Sequence, residues 1–186
     1  MRPGDSVAPE PHLCVQPAEQ ERKGEPAATL TPVRTLVEVL KHGSAARQAR
    51  AAIRDVLRKA DVKEDRIADV EMIVAELAAN AERYATEPYE LQILSVHGVP
   101  VWCEIVDGSP DLERVAALLD RLRTFKETDL PLLAENGRGL LIAHKLAGGD
   151  CEVYPTGSSS TGVPGKAVGF ALPTAPSGRW PMGTTS

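Results

Sequence analysis

The 186-residue chain has 42% apolar and 25% charged residues and a formal net charge of −5. That balance fits one folded domain and excludes a wholly disordered chain; no apolar run approaches the roughly 20 residues that span a bilayer, and a pI near 5.4 offers no basic footprint for nucleic acid. The first thirty residues have no apolar stretch behind a basic start, so no signal peptide is expected and the cytoplasm is the expected address. Cys14, Cys103 and Cys151 are odd in number and widely spaced, which suggests neither a disulfide framework nor a zinc site.

Residues 1–32 hold six prolines among polar side chains and are read as a flexible tail, because they bury too little apolar surface to offset their ordering entropy. Residues 173–186, rich in Pro, Gly, Ser and Thr, are read the same way. The folded unit is expected over residues 33–172. A first strand is predicted over 33–40. Ser44 then opens a helix to about Ala60, with Ala46, Ala49, Ile53, Val56 and Leu57 on its apolar side. Arg47, Arg50, Arg54 and Arg58 form one positive stripe on that helix, either a solvated face or a docking face for an acidic partner.

A longer helix is predicted over 65–85, with a core seam of Ile67, Val70, Val74, Leu77, Ala81 and Tyr84. Strands follow over 89–96 and 101–106, joined by a tight turn at His97-Gly98. Residues 112–125 read as a helix, followed by an irregular stretch through Pro131 and a short helix over 139–146. Two closing strands, 151–154 and 167–172, bracket a flexible loop over 156–165. The order predicts an α+β two-layer sandwich, with a mixed, mostly antiparallel sheet and helices on one face.

Four clusters could carry chemistry. Glu76 and Asn80, four apart with Arg83 three further on, project from one side of the long helix, beside its apolar seam. A carboxylate there could deprotonate a hydroxyl, and an amide oxygen is a reasonable Mg²⁺ ligand. Asp107, closing an apolar strand before Gly108-Ser109-Pro110, could aim its carboxylate into a cleft and accept an exocyclic amino group, or could simply make an Asp-Gly turn. Gly137-Arg138-Gly139-Leu140 at a helix start would let backbone N–H groups approach phosphate oxygens. Lys166 opens the last strand and offers one cation, or is a surface lysine.

Together, in this order, these clusters resemble the nucleotide-binding boxes of the Bergerat-fold ATPases, and most of all the histidine-kinase-like domains of the anti-sigma-factor serine kinases of actinomycetes. The stretch Glu76-Leu77-Ala78-Ala79-Asn80-Ala81-Glu82-Arg83-Tyr84-Ala85 is similar to their Glu-Leu-x-x-Asn-Ala-x-x-His-Ala box, and Asn136-Gly137-Arg138-Gly139-Leu140 to their Gly-Gly-Arg-Gly-Leu segment. The resemblance covers residues 33–172. It implies that Asn80 holds Mg²⁺ on the ATP phosphates, that Glu76 is the general base, and that Asp107 recognises adenine, with Arg83, Ser109, Arg138, Leu140 and Lys166 as further nucleotide contacts. It also implies that Gly137 and Gly139 border the phosphates at the end of a lid formed by residues 111–136. Ser109 and Asp111 occupy two glycine positions of the wider superfamily, Tyr84 stands where His is usual, and Lys166 where Thr is common. The implied function is an ATP-dependent serine/threonine kinase acting on a STAS-type anti-sigma-factor antagonist, with a sigma factor as a further partner and a homodimer as its assembly. The alternative is a catalytically quiet, nucleotide-gated binding module. Neither nucleic acid nor membrane is an expected partner.

Overall fold

The structure, a computed structural model, describes residues 33–124 and 135–175, and the backbone alone of residues 135–137. The expected tail 1–32, most of the expected tail 173–186, and residues 125–134 of the expected lid lie outside the described residues.

The chain runs β1 (Val33–Leu40), α1 (Ala45–Lys59), α2 (Glu64–Tyr84), β2 (Tyr89–Val96), β3 (Val99–Asp107), α3 (Leu112–Arg123), α4 (Glu135–Leu146), β4 (Glu152–Gly157) and β5 (Pro164–Ala171). The strands form one sheet in the order β1-β2-β3-β5-β4. Every described pair is antiparallel, where a mixed, mostly antiparallel sheet was expected. The reason lies in the connections: β1 reaches β2 through two helices, which return the chain to the end it left, whereas a single crossover helix would make parallel neighbours.

Alternation along the strands builds the two layers. Leu91 and Ile93 of β2, Cys103 and Ile105 of β3, and Val168 and Phe170 of β5 are buried in one core with Ile53 and Leu57 of α1 and Ile67, Val70, Val74 and Leu77 of α2. Ala45 and Ala49 are fully buried where α1 meets α2, so the two helices approach closely. Tyr84, expected in the seam, is 39% exposed at the last turn of α2. The Ser44 hydroxyl donates to the Lys41 carbonyl (3.2 Å) and does not cap α1; Glu82 of α2 accepts from the first helical N–H, Ala45 N, at 3.2 Å. A carboxylate at that end also suits the helix dipole.

His97 and Gly98 both have positive φ, 52° and 81°, the geometry of a two-residue hairpin turn. The last hairpin departs more from expectation. Its strands extend to Gly157 and Pro164, and the shortened connection folds over the sheet face away from the helices, as far as Glu90 on β2. There the Ser158 hydroxyl (2.5 Å) and the N–H groups of Ser159 and Ser160 (2.9 Å each) donate to the fully buried Glu90 carboxylate. Burial alone would raise the Glu90 pKa; the hydroxyls of Ser158 and Ser160 and the two N–H groups outweigh it and hold the value at about 2. Beyond β5, Leu172 N donates to Val101 O and the Thr174 hydroxyl to Pro100 O, so residues up to Ala175 stay against the start of β3.

Candidate functional site

Asp107 is the last residue of β3 and, by alternation, faces the helices. Its register partner on β5 is Lys166, which faces the same way. Cross-strand neighbours on one face lie within side-chain reach, and Lys166 Nζ donates to Asp107 Oδ1 at 2.7 Å. Both residues are buried. Oδ1 also accepts from Ser109 N at 3.0 Å, and Lys166 Nζ has a longer contact with the Ser109 carbonyl, 3.4 Å. Burial pushes the Asp107 pKa up, and the hydrogen bond from Lys166 works against that push. The two readings of Asp107 thus coincide: it makes the turn and lines a cleft.

Two glycines make room for this corner. A Cβ on Gly108 would lie 2.5 Å from the Glu87 carbonyl, and Gly108 N donates to Thr86 O at 2.8 Å. A Cβ on Gly165 would overlap the Asp107 carbonyl. The backbones at the ends of β3 and β5 approach closely only because neither position carries a side chain.

The cleft opens to solvent between α2, the sheet and α3. One wall is α2, through Leu77, Asn80, Ala81 and Tyr84, which share a helix face by their spacing. The floor is Ile105, Asp107, Lys166 and Val168 of the sheet. Ser109 and Asp111 form the corner, Arg114, Val115 and Leu118 of α3 the second wall, and Leu140 of α4 closes the cavity. Its lining is mostly apolar with a few polar groups, the pattern of small-molecule clefts.

Of the expected site residues, Asn80, Asp107, Ser109, Leu140 and Lys166 line this cavity. Glu76 does not; it lies one turn before Asn80, against Gly139 of α4. A Cβ on Gly139 would collide with Glu76 Oε2 and lie 3.7 Å from Asn80 Nδ2. The structure therefore brings Glu76, Asn80 and Gly139 together beside the cavity. Arg83 is exposed and does not line the cavity, its guanidinium 5.9 Å from the Tyr84 ring centre, and Arg138 is exposed. Gly137 is in α4, and its surroundings lie outside the described residues. The glycine segment was expected to precede a helix over 139–146; α4 instead begins at Glu135, so the unpaired N–H groups of its first turn belong to residues ahead of Gly139. Glycine inside a helix costs up to about 1 kcal/mol each; at 139 the closeness of α2 leaves space for no other residue without displacing Glu76.

Sequence reasoning missed Arg114, Val115 and Leu118. The period of Val115, Leu118, Leu119 and Leu122 on α3 could have flagged the wall; Leu119 and Leu122 are buried. Nothing in the sequence signals that Arg114 reaches the Tyr84 ring, 5.6 Å from its centre.

For a divalent ion the donors are few. Among the described residues no group of three or more His, Cys, Asp or Glu side chains could hold a metal. Asn80 lines the cavity and carries one amide oxygen, which fits Mg²⁺, an ion commonly held by one or two protein groups and by the phosphates of its nucleotide. Burial raises the pKa of both buried thiols, Cys151 to about 12 and Cys103 well upward, so they remain protonated core fillers. Among the described residues no helix is long and apolar enough to cross a membrane.

None of the curated proteins matches the chain. Residues 41–159, from the start of α1 to the loop after β4, match the family described as histidine kinase-like ATPase domain. The match takes in α1 through β4, including Asn80, Asp107 and Ser109 of the cavity and the Glu76–Gly139 contact, and spans well over half of the sequence. The chain belongs to the histidine kinase-like ATPase domain family.

Proposed function

We propose that this domain is an ATP-dependent regulatory kinase that phosphorylates a serine or threonine of a STAS-type anti-sigma-factor antagonist, and that it also binds a sigma factor. ATP binding follows from the ATPase family. The observation that supports transfer is the grouping of Glu76, Asn80 and Gly139 beside a cavity with Asp107 in its floor. In this reading Asp107 faces the base and Asn80 the phosphates, with Gly137, Gly139 and Arg138 near them. The acceptor hydroxyl oxygen bonds to the γ-phosphorus as the bond to the bridging oxygen breaks; ADP leaves, and Glu76 takes the hydroxyl proton. Mg²⁺, held by Asn80 and phosphate oxygens, supplies charge neutralisation when bound.

Two surfaces suit the partners. Val33, Leu36, Val37 and Val39 are exposed on the edge strand β1, which supports a homodimer formed through that strand and α1. On α1, Arg54 pairs with Glu71 and Arg58 with Glu64, while Arg47 and Arg50 are exposed and suit an acidic partner.

A second reading, a nucleotide-gated binding module without transfer, is favoured by Glu76 lying outside the cavity lining and by the lysine already bonded to Asp107. Incubation of the full chain with γ-labelled ATP and candidate antagonists separates the two. Acid-stable label on the antagonist, lost in Glu76→Gln while nucleotide affinity remains, supports the kinase. No label on any antagonist, with partner capture switched by nucleotide, supports the module.

A further inference from the structure

On the ATP reading of the cavity, on which this inference rests, we propose that Arg114 of α3 carries the charge that holds the phosphate chain of the bound nucleotide. Its guanidinium gives up the ring of Tyr84 for phosphate oxygens when the ligand enters.

Among the described residues, the cationic side chains that line the cavity are Arg114 and Lys166. Lys166 is neutralised inside the protein, its Nζ 2.7 Å from Asp107 Oδ1 with both side chains buried. Arg114 is placed differently. It is exposed, its guanidinium has no hydrogen bond and no carboxylate partner among the described residues, and its contact is with the Tyr84 ring, 5.6 Å from the centre. Asp111, the other carboxylate of the lining, accepts from the backbone N–H of Arg114 at 3.4 Å and is tied to the start of α3. Arg114 also stands in the first turn of α3, where the positive end of the helix dipole opposes a cation. Neither an ion pair nor the helix favours a charge there, and the five N–H donors of the guanidinium are unused.

Its place along the cavity suits a phosphate. Gly108 N donates to Thr86 O, so the C-terminal end of α2 lies at the Asp107 end of the cavity, the end that faces the base. Asn80, on the same helix face as Tyr84, is one turn back, roughly 6 Å along the axis. A guanidinium over Tyr84 is therefore beside the path from Asp107 to Asn80, which a nucleotide follows from its base to its metal-bound phosphates. An exposed cation–π contact is weak, whereas a guanidinium makes two parallel charge-assisted bonds to a phosphate. The exchange favours the ligand. Arg83, 5.9 Å from the centre of the same ring and outside the cavity lining, stays with Tyr84.

The test is competition titration of the full chain with Mg²⁺, in which adenosine and ADP displace a fluorescent ADP analogue, on the wild type, Arg114→Met and Arg114→Lys. Arg114 is exposed, so neither variant disturbs the core. Adenosine keeps the base and ribose and lacks the phosphates, so the ratio of its Kd to that of ADP reads the phosphate contact. In Arg114→Met the ratio should fall about tenfold or more, the loss expected for charge-assisted bonds, with adenosine affinity unchanged. Arg114→Lys keeps the charge without the planar fork and should fall between. An unchanged ratio in Arg114→Met, whether both affinities hold or both fall together, overturns the proposal and leaves Arg114 a structural role at Tyr84. If adenosine is too weak to displace the analogue, the ADP affinities of the two variants decide instead, and equal losses in both overturn the proposal. Failure of the wild type to bind the analogue or ADP overturns the nucleotide reading itself.

Discussion

Gly139 on α4 faces Glu76 on α2 so closely that an added Cβ would strike the carboxylate oxygen. What it meets is the far end of a flexible side chain and not backbone. Replacing a helix-interior glycine by alanine also gains up to about 1 kcal/mol of helix propensity. Gly139→Ala is therefore expected to leave stability within about 1 kcal/mol of the parent while swinging the Glu76 carboxylate away. Urea unfolding measures the first, and, on the kinase reading proposed above, phosphoryl transfer, which should fall sharply, the second. A loss of several kcal/mol would mean that Glu76 cannot move.

Gly165→Ala should behave in the opposite way. Here the Cβ meets the Asp107 carbonyl and the Gly108 Cα, both backbone, so β5 must move away from β3. The expected cost is about 2 kcal/mol or more, as for other substitutions that overfill a packed site. A midpoint shift with an unchanged denaturant slope would register the cost as a loss of stability.

Glu90→Gln removes the charge that Ser158, Ser159 and Ser160 surround and should cost about 1.5–3 kcal/mol, the range for hydrogen bonds to charged groups. The pH dependence has a definite sign. The folded-state pKa, about 2, is below the ordinary 4.5, so the contribution is complete above about pH 4.5 and is lost as pH falls toward 2. Unfolding curves from pH 6 to 2 should show a shallower acid loss in the variant than in the parent.

His144 supplies a second, higher window. It is buried on α4, its Nδ1 has no hydrogen-bond partner among the described residues, and burial, helped by Arg123, lowers its pKa from the ordinary 6.5. A depressed histidine pKa means that the unfolded chain binds the proton more readily. Its contribution to stability is complete above pH 6.5 and declines below it. His144→Phe should flatten the stability profile between pH 7 and 5, whatever its cost at neutral pH; an unchanged slope would show that His144 is not the group that titrates.

The edge strand gives a prediction about assembly. Val37→Lys together with Leu36→Lys should shift a dimer to monomer in sedimentation experiments, since charged edges oppose pairing. An unchanged sedimentation coefficient in a dimeric parent would place the contact elsewhere.

The apolar periods of α1 and α2 and the alternation of β2 and β3 were legible in the sequence, because burial against one face imposes those repeats. The grouping of Glu76 with Asn80 followed from helical spacing alone. Register was not legible: nothing local states that Asp107 opposes Lys166, and so a residue read as one surface cation is buried in an ion pair. The start of α4 was misplaced for a related reason. Gly137 and Gly139 look like a loop to any local rule, and only the contact with α2 accounts for a glycine within the helix at 139. The serines of the last hairpin looked like a loose loop because their partner, Glu90, is 68 to 70 residues away.

The final hairpin serves both faces of the sheet: Lys166 meets Asp107 on the side of the helices, and the serine loop reaches Glu90 on the other. That makes the molecule unequal in where its covalent path can be interrupted. New termini opened between Ser158 and Val163 would release Glu90 and slacken the strand that bears the lysine. Termini opened at the exposed turn of His97 and Gly98 would cut a connection whose glycine has nothing within 4 Å of its side-chain position. A circular permutant begun there, with a linker joining the old ends, should keep the cavity, while one begun in the serine loop should not.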